Sequence, residues 1–428
     1  MMNRPKIFES SPSLRPFRLA GFRRLIIAAF VSGIGDALIP IAFAIESHRM
    51  EPSGWGLTIV LLSLWIGRFL GIFVVHRSGP TANPIRVMIA SDVVRLMAQA
   101  GLLIWLLLRA GQGASAAVSI AAFAGSSAIY GIATAFFGPA RFAAIPKIVP
   151  LADHGQANAW LSMFGDFFAI TGPLVGSVIV LWFGFHAVLL MDALSFLIGI
   201  FLLARIKITH TDLARDAMAT EKNEHPDTGQ PADAVLLPPW VNAGLFTWLF
   251  VALTIGLMGI AGPTLVMDRN SVSVWAATAT CMAIGSLVGS TSSLLGVVKA
   301  VPWKYLQCLC CLGLAVQLLC FSFTTTPFMV WAAGFVGAAL VTVSAVRWDT
   351  IGQSIGSNAQ VHAFAVRDQT VHTVGIPAGM LVFGVAGALD VHTAVVTSVA
   401  IVIAVIGVFT ISVKMPNSVA TSHTHATF

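Results

Sequence analysis

Twelve apolar stretches, each about as long as a membrane-spanning helix, constrain the fold of this chain more than any other feature. Such a helix needs roughly twenty predominantly apolar residues. The stretches lie at 25–45, 55–76, 87–108, 115–137, 157–182, 186–204, 240–262, 274–298, 305–326, 327–346, 369–389 and 391–413. The chain is 57% apolar and 10% charged, whereas soluble domains are roughly 45–50% apolar and 25% charged. The sequence therefore predicts an all-α polytopic membrane protein with twelve transmembrane helices.

A single long polar stretch divides these spans into two groups of six. Mixed charge and several prolines between 206 and 238 are typical of a flexible linker; a functional soluble insert is the less favoured alternative. The predicted organisation follows from this division, with its segments at 1–24 (cytoplasmic N-terminal segment), 25–205 (first six-helix half), 206–238 (linker), 239–413 (second six-helix half) and 414–428 (cytoplasmic tail). Two repeated halves around a midplane site are a common layout in transporters.

Basic residues are distributed unequally between the two sides of the predicted bundle. Nineteen of the 24 Lys and Arg residues fall on the side of the termini, three on the opposite side and two within spans. Lys and Arg accumulate in cytoplasmic loops, so we expect both termini and the linker to be cytoplasmic in a multi-pass protein of the inner or plasma membrane. The net charge of +6 does not indicate a nucleic-acid partner, because the basic residues lie between apolar runs.

Ionisable residues within the predicted spans are the main functional candidates, because a charge at the bilayer centre costs at least ~2.5–3.5 kcal/mol. Asp36 and Arg68 lie at similar depths in neighbouring spans, so we expect them to form an ion pair. A carboxylate held between burial and an opposite charge can exchange a proton when its surroundings change. Asp36, Arg68 and Asp166 are therefore candidates for proton coupling, and a permanent structural ion pair is the alternative for the first two.

Four other charged residues have more structural interpretations. Asp92 and Arg95 are three residues apart, hence on one helix face, and we expect a structural or gating pair that reaches the membrane surface. Asp192 is expected to accept hydrogen bonds from its neighbours. Arg141 follows the predicted fourth span. It would either bind a lipid headgroup or latch the two halves together.

The fifth span contains the sequence GDFFAITGPLVGS. Pro173 removes a backbone donor and kinks a helix, and Gly172 and Gly176 allow close helix approach. This pattern predicts a helix that rocks against its partner, although packing alone uses the same residues.

Several stretches together resemble the major facilitator superfamily, in particular its twelve-span drug–proton antiporter branch, which includes macrolide and enterobactin exporters. These stretches are FFGPARFAAIPKIVP (136–150), QANAW (156–160), TGPLVGS (171–177), MDALSF (191–196), RWDTIGQSI (347–355) and HTVGIPAGMLVFGVAGAL (372–389). Gly172, Pro173 and Gly176 match the antiporter motif of the fifth helix, which implies outward transport. Asp36 matches an acidic position in the first helix of that branch.

Two departures from the family pattern affect the expected mechanism. The loop after the second span, GIFVVHR, keeps Gly71 and Arg77 but has Val75 or His76 where the family carries an acid. The predicted fourth span also lacks the embedded Arg of many proton antiporters. Proton coupling is thus an expectation from the resemblance and from Asp36.

The leading hypothesis is a secondary transporter that exports hydrophobic or amphipathic small molecules, such as drugs, macrolides or siderophore-like compounds, by proton-coupled alternating access. We expect a monomer in the lipid bilayer with no cofactor and no metal. Aromatic residues of the second half are candidates for the cavity wall, namely Trp248, Phe250, Trp331 and Phe335.

Two other functional classes compete with this hypothesis. A facilitator or importer of a small metabolite could use the same fold. A membrane-embedded lipid-modifying enzyme is less favoured, because the sequence contains neither HExxH nor GxSxG. ATP-driven transport is not indicated either, since no GxxxxGK[ST] motif is present.

Overall fold

The structure of the protein is a computed structural model, and it describes residues 12–51, 55–109, 115–207, 232–298 and 300–414. Three of the predicted segments fall partly or mostly beyond this part of the chain. Residues 1–11 of the N-terminal segment, 208–231 of the predicted linker and the tail from 415 lie outside the described residues.

Twelve long α-helices form in the described ranges. They are α1 (Ala20–Met50), α2 (Trp55–Arg77), α3 (Pro84–Arg109), α4 (Ala116–Ile148), α5 (His154–Phe183), α6 (Phe185–Ala204), α7 (Pro239–Arg269), α8 (Val272–Leu294), α9 (Trp303–Phe323), α10 (Pro327–Gly352), α11 (Asn358–Ala388) and α12 (His392–Thr410). Eleven of them are long and apolar enough to cross a membrane, and α5, the twelfth, has 30 residues. The predicted all-α polytopic fold is confirmed.

Local sequence explains several of the helix ends. Ser115, Ser271 and Ser357 each accept a hydrogen bond from a backbone N–H of the first turn of α4, α8 and α11, which satisfies one donor that the helix leaves free. Ser357 and Gln360 form a reciprocal capping box. Gly184, at φ 81°, permits the tight connection between α5 and α6.

The two halves repeat one packing scheme. In the first half α1 packs on α5, α2 on α4 and α3 on α6; in the second half α7 packs on α11, α8 on α10 and α9 on α12. The halves meet through α5 with α8 and α10, and through α11 with α2 and α4. We call the face where α6 ends and α7 begins the linker face, and the opposite face the far face.

Three predicted helix boundaries are wrong in the same direction. The fourth span continues to Ile148 instead of ending at 137, the tenth continues to Gly352, and the eleventh begins at Asn358 instead of 369. A proline inside a membrane helix is tolerated because neighbouring groups satisfy the freed carbonyl, so Pro139 does not end α4. Polar residues at the other two ends contact the opposite half, which allows the helices to extend beyond their apolar sequence.

The apolar core differs between the halves. One continuous cluster fills the second half, with contributions from Ile72, Val75 and Ala135 of the first. The first half has two separate clusters, one on the linker side around Phe22 and another on the far side around Phe123. Charged side chains occupy the level between these two clusters. This layer contains the candidate site.

Candidate functional site

A large cavity lies at mid-depth against the first half. It has a volume of about 630 Å³ and is lined by residues of α1, α4 and α5. Its wall is mainly apolar, with the rings of Phe137, Phe164 and Phe168, and its polar groups include Asp36 and Arg141. A cavity of this size with a few polar groups is typical of a small-molecule site. We call it the apolar cavity.

A second cavity of about 380 Å³ lies on the linker side of the first, between the two halves. Arg141, Leu161 and Gly165 line both cavities, so the two are adjacent. The second cavity also contains the carboxylates of Asp166, Asp349 and Asp368, together with amide side chains. We call it the polar cavity. Its residues come from α4 and α5 of one half and from α10 and α11 of the other.

Asp36 of α1 connects the apolar cavity to the charged interior of the first half. Its side chain is 42% exposed, and its Oδ2 atom lies 3.5 Å from Arg95 Nη1. Its Oδ1 atom accepts a hydrogen bond from the Tyr130 hydroxyl. The expected partner Arg68 makes no ion pair within 4 Å in the described residues; it stacks near Trp65 and lines a side cavity of about 160 Å³ with Asp36.

Arg95 and Asp92 are fully buried rather than extended to the membrane surface. The Arg95 guanidinium is 2% exposed and lies 2.5 Å from Asp92 Oδ1. It also lies 4.3 Å from the ring centre of Phe137 and 4.8 Å from that of Phe196. α3 extends at both ends beyond the predicted span, and α4 and α6 cover this face, so the pair cannot reach the surface.

Asp192 of α6 belongs to the same layer. It is completely buried, and its backbone carbonyl accepts a hydrogen bond from the Ser195 hydroxyl at 2.7 Å. The carboxylate packs against Gly35, where even a Cβ atom would overlap it. The structure thus places Asp36, Asp92, Arg95 and Asp192 together.

Asp166 of α5 takes part in contacts between the halves. The Ser286 hydroxyl of α8 donates to its Oδ1 atom at 2.7 Å, and Ser286 lies 2.6 Å from the hydroxyl of Thr342 of α10. Asp166 lines the polar cavity and is separate from the layer around Arg95. These hydrogen bonds connect α5 of the first half to α8 and α10 of the second half.

Arg141 lies inside α4 and not after it, because this helix continues to Ile148. Its side chain is exposed to the two cavities that it lines. Asp349 of α10 lies in the same polar cavity. Neither predicted role, lipid binding or latching, is tested by this placement.

Contacts between the halves are concentrated on the linker side. The side-chain amides of Asn158 and Gln353 exchange two hydrogen bonds of 3.0 and 3.1 Å. His76 Nε2 lies 2.7 Å from the Thr370 hydroxyl, and the ring of Phe142 stacks on that of Phe364. These groups close the bundle between the polar cavity and the linker face.

The motif residues predicted for gating lie at helix crossings. Gly71 packs against the backbone of α4, and Gly172 against Ala37 of α1. Gly176 is buried within α5, and the Arg77 guanidinium lies 4.3 Å from the ring of Phe73.

One residue of the antiporter motif is only partly described. Pro173 lies within α5, but its side chain is outside the described part of the chain. Its effect on the helix axis stays a prediction.

None of the four residues predicted for the aromatic wall lines the apolar or the polar cavity. Trp248 is 2% exposed and packs near Trp348, so it is a core residue rather than a wall residue. Phe250, Trp331 and Phe335 are half-buried, do not line the apolar or polar cavity, and stay predictions. The first half supplies the aromatic wall.

Sequence reasoning missed several polar residues of the site. Tyr130, Asp349 and Asp368 were not singled out, although Asp368 and His372 are four apart, which places both on one helix face. The Trp348 indole donates to Asp368 Oδ1 at 2.8 Å. The single tyrosine within the fourth span was a further signal, since the whole chain has only two.

Two repeated six-helix halves around a central cavity define a polytopic membrane transporter. Among solved structures, similar folds are a bacterial homologue of the iron transporter ferroportin in an outward-facing state (14% identity, 92% of this chain and 100% of the other, TM-score 0.70), the proton:xylose symporter (12%, 91% and 94%, 0.67) and the E. coli fucose:proton symporter (12%, 92% and 98%, 0.62). No curated protein matches the sequence.

The model of the Major Facilitator Superfamily matches residues 25–380, and the chain belongs to that family. It is therefore a transporter and not an enzyme. The superfamily that the sequence resembled is confirmed, whereas the drug–proton antiporter branch is taken up below as a proposal.

Proposed function

We propose that this protein is a proton-coupled exporter of hydrophobic or amphipathic small molecules, in the manner of the drug–proton antiporter branch. One observation carries the proposal. Asp36 faces the apolar cavity and at the same time contacts Arg95 and Tyr130 of the buried charged layer. A single carboxylate therefore connects the site where a substrate would bind to groups that respond to its charge.

Protonation of Asp36 would change the packing of the first half. An ionised carboxylate attracts the Arg95 guanidinium strongly in an interior of low dielectric, and a neutral one loses most of that attraction. α1 carries Asp36 and packs on α5 and α6, so its position depends on whether the proton is bound. This dependence is what coupling a proton to alternating access requires.

The cavity wall supports the proposed substrate class. Three phenylalanine rings and few polar groups favour an apolar or amphipathic molecule, and the volume of about 630 Å³ suits one of drug size. Drugs, macrolides and siderophore-like compounds share these properties, and the side chains do not select among them.

The direction of transport and the conformation of this structure both depend on the membrane topology proposed for the chain. If both termini are cytoplasmic, the linker face lies on the cytoplasmic side of the inner or plasma membrane. The hydrogen bonds between Asn158 and Gln353 close the bundle on that side. This agrees with the fold neighbour that was solved in an outward-facing state. We propose that the protein works as a monomer, with Asp166 and Arg141 adjusting the contact between the halves.

The test is transport in inverted membrane vesicles that contain the protein, with ethidium and erythromycin as separate probes. A pH gradient should drive accumulation of at least one probe, and Asp36→Asn should abolish the dependence on the gradient. Asp390→Asn is the control, because Asp390 is also an acid of a helical half, but its side chain is 98% exposed and lines neither cavity. Undiminished proton-driven transport in Asp36→Asn contradicts the assignment, and equilibration of a probe without a gradient indicates a facilitator.

A further inference from the structure

The charged layer of the first half contains more carboxylates than its central cation can pair. Arg95 of α3 contacts Asp92 of its own helix and Asp36 of α1. Tyr130 of α4 adds a hydroxyl, which already donates to Asp36. Asp192 of α6 is the third carboxylate around this guanidinium, and Arg95 forms no ion pair with it within 4 Å. Three carboxylates thus surround one guanidinium, and the next cation, Arg68, makes no ion pair within 4 Å in the described residues.

The carboxylate of Asp192 is also poorly supplied with hydrogen-bond donors. It is 0% exposed, and neither of its oxygens meets hydrogen-bond geometry with any described residue. The neighbouring polar side chain is that of Gln99, whose amide interacts with this carboxylate while its own Oε1 atom is a buried acceptor without a donor. Two oxygens of Asp192 and one of Gln99 are therefore buried acceptors without a well-placed donor among the described residues.

An ionised carboxylate is poorly tolerated in such a place, because burial removes its water and the Gln99 amide and the shared Arg95 replace it only in part. A protonated carboxyl group, by contrast, is neutral and supplies one O–H donor to these acceptors. We propose that Asp192 is a proton-binding residue that holds a proton in this conformation, behind Asp36 in the interior of the first half.

The position of Asp192 defines a route for that proton, and this step rests on the proposed function. Its carboxylate packs against Gly35, the residue before Asp36. The O–H bond of Asp192 breaks as an O–H bond forms on the Asp36 carboxylate, and the negative charge moves from Asp36 to Asp192. Arg95, already within the cluster, stabilises the new carboxylate, and the proton on Asp36 then faces the apolar cavity.

Infrared spectroscopy of the purified protein in proteoliposomes tests the site without any substrate. At neutral pH the wild-type protein should show C=O stretching bands of buried carboxylic acids, and Asp192→Asn should remove one of them, which we call the Asp192 band. Asp368→Asn should leave the Asp192 band in place, because Asp368 lies in the second half, where it accepts a hydrogen bond from the Trp348 indole, and not in the charged layer around Arg95. A wild-type protein without such bands, or a spectrum from which Asp192→Asn removes none of them, overturns the proposal.

Thermal unfolding in detergent provides an independent measurement. Asn is an uncharged isostere of a protonated Asp, so Asp192→Asn should keep the midpoint Tm within about 2 °C, whereas Asp92→Asn should lower it by roughly 5 °C or more, because it removes a partner of the buried Arg95. If Asp192→Asn is destabilised as much as Asp92→Asn, or fails to fold, then Asp192 is ionised and the inference is wrong.

These results separate the proton site from the transport function. Loss of the band in Asp192→Asn without proton-driven efflux of either probe supports the site and contradicts the exporter. Proton-driven efflux with an unchanged band in Asp192→Asn supports the exporter and contradicts the site.

Discussion

The two halves of this transporter share a helix arrangement but differ in what fills their interiors. In the first half a layer with Asp36, Asp92, Arg95 and Asp192 separates two apolar clusters. In the second half one apolar cluster is continuous, and its buried polar groups include neutral pairs such as Ser344 with Gln307 at 2.8 Å. The same fold therefore carries a charged interior on one side and a neutral one on the other.

This difference indicates that the two halves have different roles in transport. Ion pairs change in strength when a proton binds, whereas neutral hydrogen bonds and apolar contacts do not. The carboxylates Asp349 and Asp368 of the second half line the polar cavity instead of its apolar core. We infer that the first half responds to protons while the second half acts as a scaffold.

The largest expected effect is the loss of the central cation. Arg95→Met removes the partner of Asp92 and leaves buried carboxylates unpaired, which typically costs about 3–5 kcal/mol. The free energy of unfolding is measured by titration with SDS in mixed micelles. A neutral polar group of the second half should matter far less.

The matched substitution for this comparison is Gln307→Leu. Gln307 is as deeply buried as Arg95 but accepts only from Ser344, and a hydrogen bond of this kind within a membrane protein contributes about 0.6 kcal/mol on average. Equal destabilisation by the two substitutions would contradict the distinction between the halves.

An intermediate effect is expected at the closest helix crossing of the second half. A Cβ on Gly256 of α7 would overlap the carbonyl of Ile376 of α11, so Gly256→Ala must push the helices apart, at a cost of about 1–3 kcal/mol. The unfolding titration measures this cost.

Two further Gly→Ala substitutions are compared with Gly256→Ala, one at a helix crossing of the first half and one at a glycine with open space around it. A Cβ on Gly172 of α5 would lie 2.6 Å from the Cβ and 2.9 Å from the carbonyl oxygen of Ala37 of α1. This overlap is less severe than that of Gly256 with Ile376, so Gly172→Ala should cost less than Gly256→Ala. Gly384→Ala is the control, since nothing lies within 4 Å of the added methyl group. If Gly172→Ala is the more harmful change, the scaffold is the first half and our assignment is reversed.

Much of the fold was predictable, because each apolar run is long enough for one membrane-spanning helix and the number of runs therefore gives the number of spans. The boundary between the ninth and tenth predicted spans, at 326 and 327, agrees with the structure within three residues, since α9 ends at Phe323 and α10 begins at Pro327. Polar residues at 358–368 were placed outside the eleventh span, since apolarity alone does not show that a helix end is covered by the opposite half.

The site was less predictable than the fold. The depth of a residue along its helix identified Asp36 as a candidate, but it also suggested Arg68 as the partner of Asp36. That pairing is absent among the described residues, and it was predicted because depth does not show which face of a helix is turned toward its neighbour. Arg95 takes that position because α3 packs between α4 and α6 and directs its buried face at α1. The link between Asp192 and this cluster depends on tertiary packing, which short-range spacing does not reveal.

The smallest expected effect concerns the contact that joins these unlike halves. Asn158 and Gln353 are both buried and exchange two hydrogen bonds across the linker side. In a double-mutant cycle with Asn158→Ala and Gln353→Ala, we expect a coupling energy of about 0.6 kcal/mol, with roughly 1.7 as an upper value. The cycle is measured by the same SDS titration.

The control pair consists of two residues at the same location that form no hydrogen bond with each other. The Ser354 hydroxyl, next to Gln353, donates to the carbonyl of Ile351 in its own turn, so Asn158→Ala and Ser354→Ala should be additive. Coupling in the first cycle with additivity in the second shows that this amide pair holds the halves together on the linker side. Additivity in both cycles contradicts that role, because a contact that stabilises the closed linker side must contribute free energy that neither half supplies alone.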